Sequence, residues 1–256
     1  MLRMWREEVS PRLRQRAGGM LLVSRTLKIT GIGEGTVDHM AGELLRGTNP
    51  TIGVYAKADG VHVRLAAKAS DHAAGIAAIA PVEAQIRQRF GQNLWGADDD
   101  TLQSVAGKLL TERRLTLAVM ESCTGGLLSN AITDTPGSSS YFRGGIVSYA
   151  TEIKARYGVD PKVLEKHGAV SAETAAEMAR AARQQLGASV GIGVTGVAGP
   201  TEQEGRPVGT VYITVDHEQA RLGQHTTIPG GRTDVKQRVV TAALFQLRNL
   251  LLDLPH

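Results

Sequence analysis

An aspartate-rich stretch from Asn93 to Asp100 separates two halves of different element order, and that separation constrains the fold more than any other feature of the sequence. Before it, an apolar, β-compatible run from Met20 to Thr30 is broken by Gly31, Gly33 and Gly35, and an amphipathic segment follows from about Thr36 to Leu45. Two further runs, Thr51 to Lys57 and Val61 to Lys68, flank Ala58-Asp59-Gly60, with Val61, Val63 and Leu65 alternating against His62 and Arg64. Alternating runs around an Asp-Gly form a hairpin. Asp71 can cap a helix on which Ile76, Ile79, Val82, Ile86 and Phe90 recur at helical spacing before Gly91. Residues 20–92 therefore read as a small α+β unit of order βαββα, with 93–100 as a linker.

After the linker, strand and helix alternate. A helix from Leu102 to about Arg113 precedes a strand at Leu115 to Met120, a glycine-rich turn, a helix to about Ile132, a loop at Thr135 to Ser140 and a strand at Gly145 to Ser148. Ser171 caps a longer helix that ends at Gly187, and runs at Ala188 to Val194, Gly209 to Val215 and Leu222 to Ile228 precede a last helix from about Thr233 to Leu252. This order predicts an α/β protein whose residues 101–256 form a three-layer α/β/α domain.

With 256 residues the chain can bury two apolar cores without metal or disulfide staples. A net charge of +4 and an aromatic content of 4% argue against a nucleic-acid groove, which needs clustered cations and stacking rings. The basic stretch Arg3 to Arg16 is interrupted by Glu7 and Glu8 and reads as a solvated helix face. Cys123 is the only cysteine, which excludes an intramolecular disulfide and a thiolate zinc site and fits a reducing, cytoplasmic setting. No apolar run reaches the roughly 18 residues that span a bilayer.

Chemistry concentrates at four places. Glu121-Ser122-Cys123-Thr124-Gly125-Gly126 lies where a strand ends and a helix begins, the position at which open α/β sheets bind ligands. Ser122 there is a candidate nucleophile, Cys123, Thr124 and Gly125 offer amides to an anion, and position alone favours simple helix capping. At the next strand end, Ser148-Tyr149-Ala150-Thr151-Glu152-Ile153-Lys154 supplies Lys154, a base for Ser122 only if desolvation depresses its pKa, and Tyr149, which can relay the proton or bind the oxyanion. The run Gly191 to Pro200 contains a literal G-x-G-x-x-G. Its first two glycines lie inside an apolar run instead of starting a turn, so they read as close packing, and Thr195-Gly196 opens a ligand-facing loop. Arg232, after Pro229-Gly230-Gly231, suits a phosphate, and the loop Gly137-Ser138-Ser139 is the next place to hold one.

The second half resembles the CinA C-terminal family, the nicotinamide mononucleotide deamidases. ESCTGG (121–126), DTPGSSSYFRGGIVSYATEIK (134–154), HGAVS (167–171), TGVAGP (195–200), RPVGTVYI (206–213) and GGR (230–232) carry the resemblance in order. It implies hydrolysis of nicotinamide mononucleotide to nicotinic acid mononucleotide and ammonia, in pyridine nucleotide recycling, with no metal or cofactor. It also implies catalytic roles for Ser122, Tyr149 and Lys154, substrate contacts from Thr195 and Arg232, and a homodimer. SRTLKITGIGEG (24–35), NPTIGVYAKADGVHVRLAAKA (49–69) and APVEAQIRQRFG (80–91) are similar to the family's KH-like middle domain. The glycine spacing at 31, 33 and 35 lacks the G-x-x-G loop with which KH domains clamp RNA, so no nucleic-acid partner is expected. Residues 1–19 look like the tail of the family's N-terminal MoaB-like domain, otherwise missing from this sequence, so its pyrophosphatase activity is not expected. The competing reading is a nucleotide-binding regulatory module without catalysis, which needs the glycine-rich loops and Arg232 but no contact between Lys154 and Ser122.

Overall fold

The computed structural model describes residues 2–16 and 18–255. Of the opening segment 1–19, residues 1 and 17 lie outside the described residues. The remainder begins as helix, α1 (Leu2–Met4) and α2 (Ser10–Arg16) flanking a π-helical stretch at Trp5–Val9. Arg3 pairs with Glu7 and Arg12 with Glu8 across exposed helical turns. The chain divides into two compact units, residues 1–100 and 101–256.

In the first unit, β1 (Leu21–Ile29), β2 (Thr51–Lys57), β3 (Gly60–Ala69) and β4 (Leu94–Ala97) form an antiparallel sheet of order β2-β3-β1-β4. Helices α3 (Glu34–Ala41) and α4 (His72–Phe90) complete the unit. Asp71 caps α4 by accepting from Ala74 N at 2.8 Å. Ile79, Ile86 and Phe90 of α4 join Leu27, Ile29, Val63 and Leu65 in one core. Ile76 departs from the expected pattern and stays exposed. Gly75 takes the place against the sheet, because a Cβ there would lie 2.4 Å from Val23 Cγ2.

The segment 93–100, expected as a linker, is part of this unit. Leu94, Trp95 and Ala97 are buried, and β4 pairs with β1 through Leu27↔Ala97 and Lys28↔Gly96. Its aspartates are structural: Asp98 Oδ1 accepts from Thr26 N at 2.8 Å, and Asp100 Oδ2 from Ala97 N at 2.9 Å. The break falls after Asp100, where Thr101 and Ser104 form a reciprocal capping box for the next helix.

That helix, α5 (Leu102–Glu112), opens the second unit. Strands β5 (Leu117–Glu121), β6 (Phe142–Val147), β7 (Val190–Gly196), β8 (Thr210–His217) and β9 (Ala220–Thr227) form a sheet of order β6-β5-β7-β8-β9. β5, β6 and β7 run parallel, while β8 and β9 run antiparallel. One face carries α9 (Ala172–Gln185), with the short helices α7 (Thr151–Arg156) and α8 (Pro161–His167) beside it. The other carries α10 (Arg232–Asp253), packed with α5 and α6 (Leu127–Thr133). The result is a three-layer α/β/α unit on a mixed sheet. Gly191 and Gly193 let α9 approach β7, since a Cβ would come within 2.0 Å of Ala179 O and 2.1 Å of Ala175 O. No helix of the described residues is long and apolar enough to cross a membrane.

Candidate active site

The parallel strands β5, β6 and β7 end on the same edge of the sheet, and each hands over to a segment that contributes to one pocket. Ser122 leaves β5 with its amide bonded to Val194 O of β7 at 2.9 Å, while Ser148 N of the β6 end bonds Glu121 O at 2.8 Å. The Ser122 turn is thereby anchored to both neighbouring strands.

Glu121, the last residue of β5, is fully buried. Its carboxylate accepts from Gly126 N and Leu128 N at 3.0 Å, Ser129 N at 2.8 Å and Ser129 Oγ at 2.6 Å. A carboxylate at a helix N-terminus answers both the unpaired amides and the dipole. Here it also ties the far end of the 122–126 turn back to the strand. The first amides of α6 are thus occupied and unavailable to a ligand. Gly125 N is also committed, to Ser122 O at 3.1 Å. Among the described residues neither Cys123 N nor Thr124 N donates to an oxygen, and the Cys123 amide lies against its own thiol. An acidic residue ending an apolar strand just before a helix was the sequence signal for Glu121, and the motif reading passed over it.

Lys154 is 1% exposed, although it lies on a six-residue helix. Its Nζ stands 3.0 Å from Ser122 Oγ, 2.8 Å from Ser148 O and 3.2 Å from Tyr149 O. Burial pushes its pKa below the ordinary 10.5, against weaker opposing effects of Cys123, Glu204 and Glu152. In the neutral amine two N–H bonds serve the two carbonyls and the lone pair faces the Ser122 hydroxyl. An amine so placed can take a proton from a serine hydroxyl. The Cys123 thiol, next to it in sequence, is pushed up to about 12 by burial and stays protonated at neutral pH.

Ser122, Cys123, Tyr149, Lys154, Thr195, Gly196 and Arg232 all line a pocket of about 300 Å³, at the small end of ligand clefts. Thr195 is held in the wall by its hydroxyl, which donates to Ala169 O, another lining residue, at 2.7 Å. Gly196 admits close backbone, since a Cβ would meet Thr210 O at 2.6 Å. Tyr149 is 59% exposed, and its hydroxyl accepts from Arg232 Nη2 at 2.8 Å. Lys154 Nζ reaches Ser122 Oγ directly, with no phenol between them. Arg232 Nη1 also donates to Gly199 O at 2.7 Å.

Other expected contacts fall outside the pocket. Thr124 is fully buried with no partner for its hydroxyl among the described residues, and it does not line the cavity. Gly125 and the Gly137-Ser138-Ser139 loop do not line the cavity. The sequence reading missed Thr201, Glu202 and Gln203, a polar loop that lines it from the far side. Glu204 pins this loop by accepting from Val170 N at 3.0 Å with φ of 53°. Among the described residues no cluster of His, Cys, Asp and Glu is placed to hold a metal ion.

The CinA C-terminal domain family matches residues 99–251, and the KH domain of damage-inducible protein CinA matches residues 24–96. The chain belongs to the CinA family. It is 46% identical over 229 residues to a competence-damage inducible protein of Moorella thermoacetica, covering 89% of this chain and 55% of the relative. A CinA-like protein of Frankia casuarinae is 43% identical over 259 residues, covering 99% and 60%. The chain therefore spans between half and two thirds of the length of these CinA relatives. Among solved structures, the CinA superfamily protein of Escherichia coli aligns with TM-score 0.57 and 32% identity, covering 63% of this chain and 97% of that one. The competence/damage-inducible protein CihA of Agrobacterium tumefaciens aligns equally well, at 0.57 and 32%, covering 59% and 94%.

Proposed function

We propose that this CinA-family chain is an amidohydrolase that converts nicotinamide mononucleotide to nicotinic acid mononucleotide and ammonia. The buried 3.0 Å contact between Lys154 Nζ and Ser122 Oγ carries the reading. A module that only binds nucleotides has no need of a desolvated lysine on a serine.

Neutral Lys154 takes the Ser122 proton as Oγ bonds to the carboxamide carbon. The oxygen that becomes negative is held at the Ser122 turn by the backbone amide of Cys123, the residue after the nucleophile, which lines the pocket. Collapse breaks the C–N bond, and the Lys154 proton leaves on the departing ammonia. A water molecule then attacks the nicotinoyl ester, giving its proton to Lys154, and the acid is released as Ser122 regains a proton. The fixed positive charge of the pyridinium withdraws electrons from the carboxamide, which favours the nucleotide over free nicotinamide.

Incubating the full chain with nicotinamide mononucleotide should release ammonia and nicotinic acid mononucleotide in equal amounts, and Ser122→Ala should abolish both. Absence of both products from the unmutated chain would refute the assignment.

A further inference from the structure

The loop between Pro200 and β8 is fixed by its own turn. Gln203 N donates to Arg206 O at 3.2 Å and Arg206 N to Gln203 O at 2.8 Å, with Glu204 at φ 53° and Gly205 at φ 69° between them. Positive φ at both central residues makes a tight two-residue hairpin turn. A glutamate in the left-handed region is uncommon, and this one is tied down, its carboxylate accepting from Val170 N at 3.0 Å. Gly168 leaves room for it, since a Cβ there would lie 2.5 Å from Glu204 Oε2. Glu202, two residues earlier, is the other carboxylate of this loop, and it lines the pocket.

Glu202 is exposed and, among the described residues, makes no hydrogen bond or ion pair. Arg232, on the same pocket wall, donates to Gly199 O and Tyr149 Oη instead. Opposite charges that line one cavity of about 300 Å³ without pairing present a field of two signs, complementary to a ligand that is cationic at one place and anionic at another. Residues 201–205 lie between TGVAGP and RPVGTVYI, outside the motifs that carry the family resemblance. We infer that Glu202 is a specificity-determining residue, whose carboxylate recognises the fixed positive charge of the pyridinium ring and so selects charged over neutral aromatic carboxamides. The inference rests on the proposed amidase reading for the identity of the ligand. The ring keeps its charge from bound substrate to transition state, so the attraction strengthens both alike and belongs in KM, not in kcat.

Calorimetry on the full chain carrying Ser122→Ala reads binding without turnover. Nicotinamide mononucleotide offers the charged ring, and benzamide riboside monophosphate, with a carbon in place of the ring nitrogen, offers a neutral one. Adding Glu202→Gln should weaken binding of the first about fivefold, the scale of one partly screened charge pair, and of the second by less than about twofold. Glu202→Asp should keep part of the preference, and added salt should narrow it. Equal weakening of both ligands, as a merely disturbed loop would give, or no weakening of the charged one, would overturn the inference. With Ser122 in place, the Glu202→Gln loss on nicotinamide mononucleotide should fall on KM. The rise of activity with pH should remain, because the carboxylates felt at Lys154 are Glu204 and Glu152. A loss confined to kcat would also overturn the inference. A chain that prefers the charged ring through Glu202 and yet releases no ammonia would leave the recognition standing and refute the amidase reading, whereas ammonia release with a preference untouched by Glu202→Gln would do the reverse.

Discussion

Arg232 and Tyr149, 83 positions apart, meet through a 2.8 Å hydrogen bond from guanidinium to phenol. The contact closes one side of the pocket and gives the exposed Tyr149 ring a fixed orientation at the mouth. Tyr149→Phe should raise KM for nicotinamide mononucleotide about three- to tenfold, as expected for one hydrogen bond, and change kcat much less. Steady-state kinetics decide this, because a phenol that relayed the proton would show a collapse in kcat.

Ser122 and Cys123 compete for the role of nucleophile. Ser122→Ala should lower turnover at least about a hundredfold, whereas Cys123→Ala should retain most of it, because the thiol is protonated when Lys154 is already free to act. Mass spectrometry of acid-quenched enzyme should find the nicotinoyl adduct on the peptide carrying Ser122. An adduct on the Cys123 sulfur would reverse the assignment.

The depressed pKa of Lys154 gives activity a direction with pH. Turnover should rise as pH increases through the Lys154 pKa and level off below the ordinary lysine value of 10.5. Lys154→Met should remove the rise along with most of the activity. A full pH profile of kcat/KM for both proteins checks this.

The same shift predicts a trend in stability. The unfolded chain binds a proton on Lys154 more readily than the folded one, so the cost of burying this side chain is complete below its folded pKa and disappears above about 10.4. Lys154→Met removes that cost. Its stability relative to the unmutated chain should therefore be highest below the folded pKa of Lys154 and fall as pH rises from there toward about 10.4, read from urea unfolding at a series of pH values. An advantage that grew with pH would contradict the desolvation.

Glu121 is a positioning residue, since it touches the turn and not the pocket. Glu121→Gln turns an amide NH2 toward N–H donors and should cost about 2 kcal/mol or more in unfolding free energy. Turnover per folded molecule should drop about tenfold or more with little change in KM. Unchanged turnover in the folded fraction would reduce Glu121 to a helix cap.

Much of this architecture was legible in the sequence because it depends on local pattern. The strand, turn and helix around Ser122, the hairpin at Asp59-Gly60 and the cap at Asp71 each follow from neighbouring residues. What was not legible depends on distant partners. β4 is four residues long and shows itself as a strand only by pairing with β1. The helix face of α4 runs through Gly75 and not Ile76, because contact with Val23 decides it. Lys154 on a short polar helix resembles a solvated lysine until Ser122, Ser148 and Tyr149 surround it. Thr201 to Gln203 look like any surface loop, whereas Glu121 is marked in the sequence by its place at the end of an apolar strand, and only its partners come from α6.

The two glycines of β7 have a consequence for how this chain tolerates mutation. Gly191 and Gly193 leave no room for even a methyl group beneath α9, and the same strand continues into Thr195 to Gly199 of the pocket wall. A methyl added there pushes strand and helix apart, and the displacement is carried along a rigid ladder to residues that the mutation never touches. In a random mutational screen, losses of substrate affinity should therefore cluster at two positions inside the sheet, remote from any ligand, and a map drawn from activity alone would mistake a spacer for a binding residue.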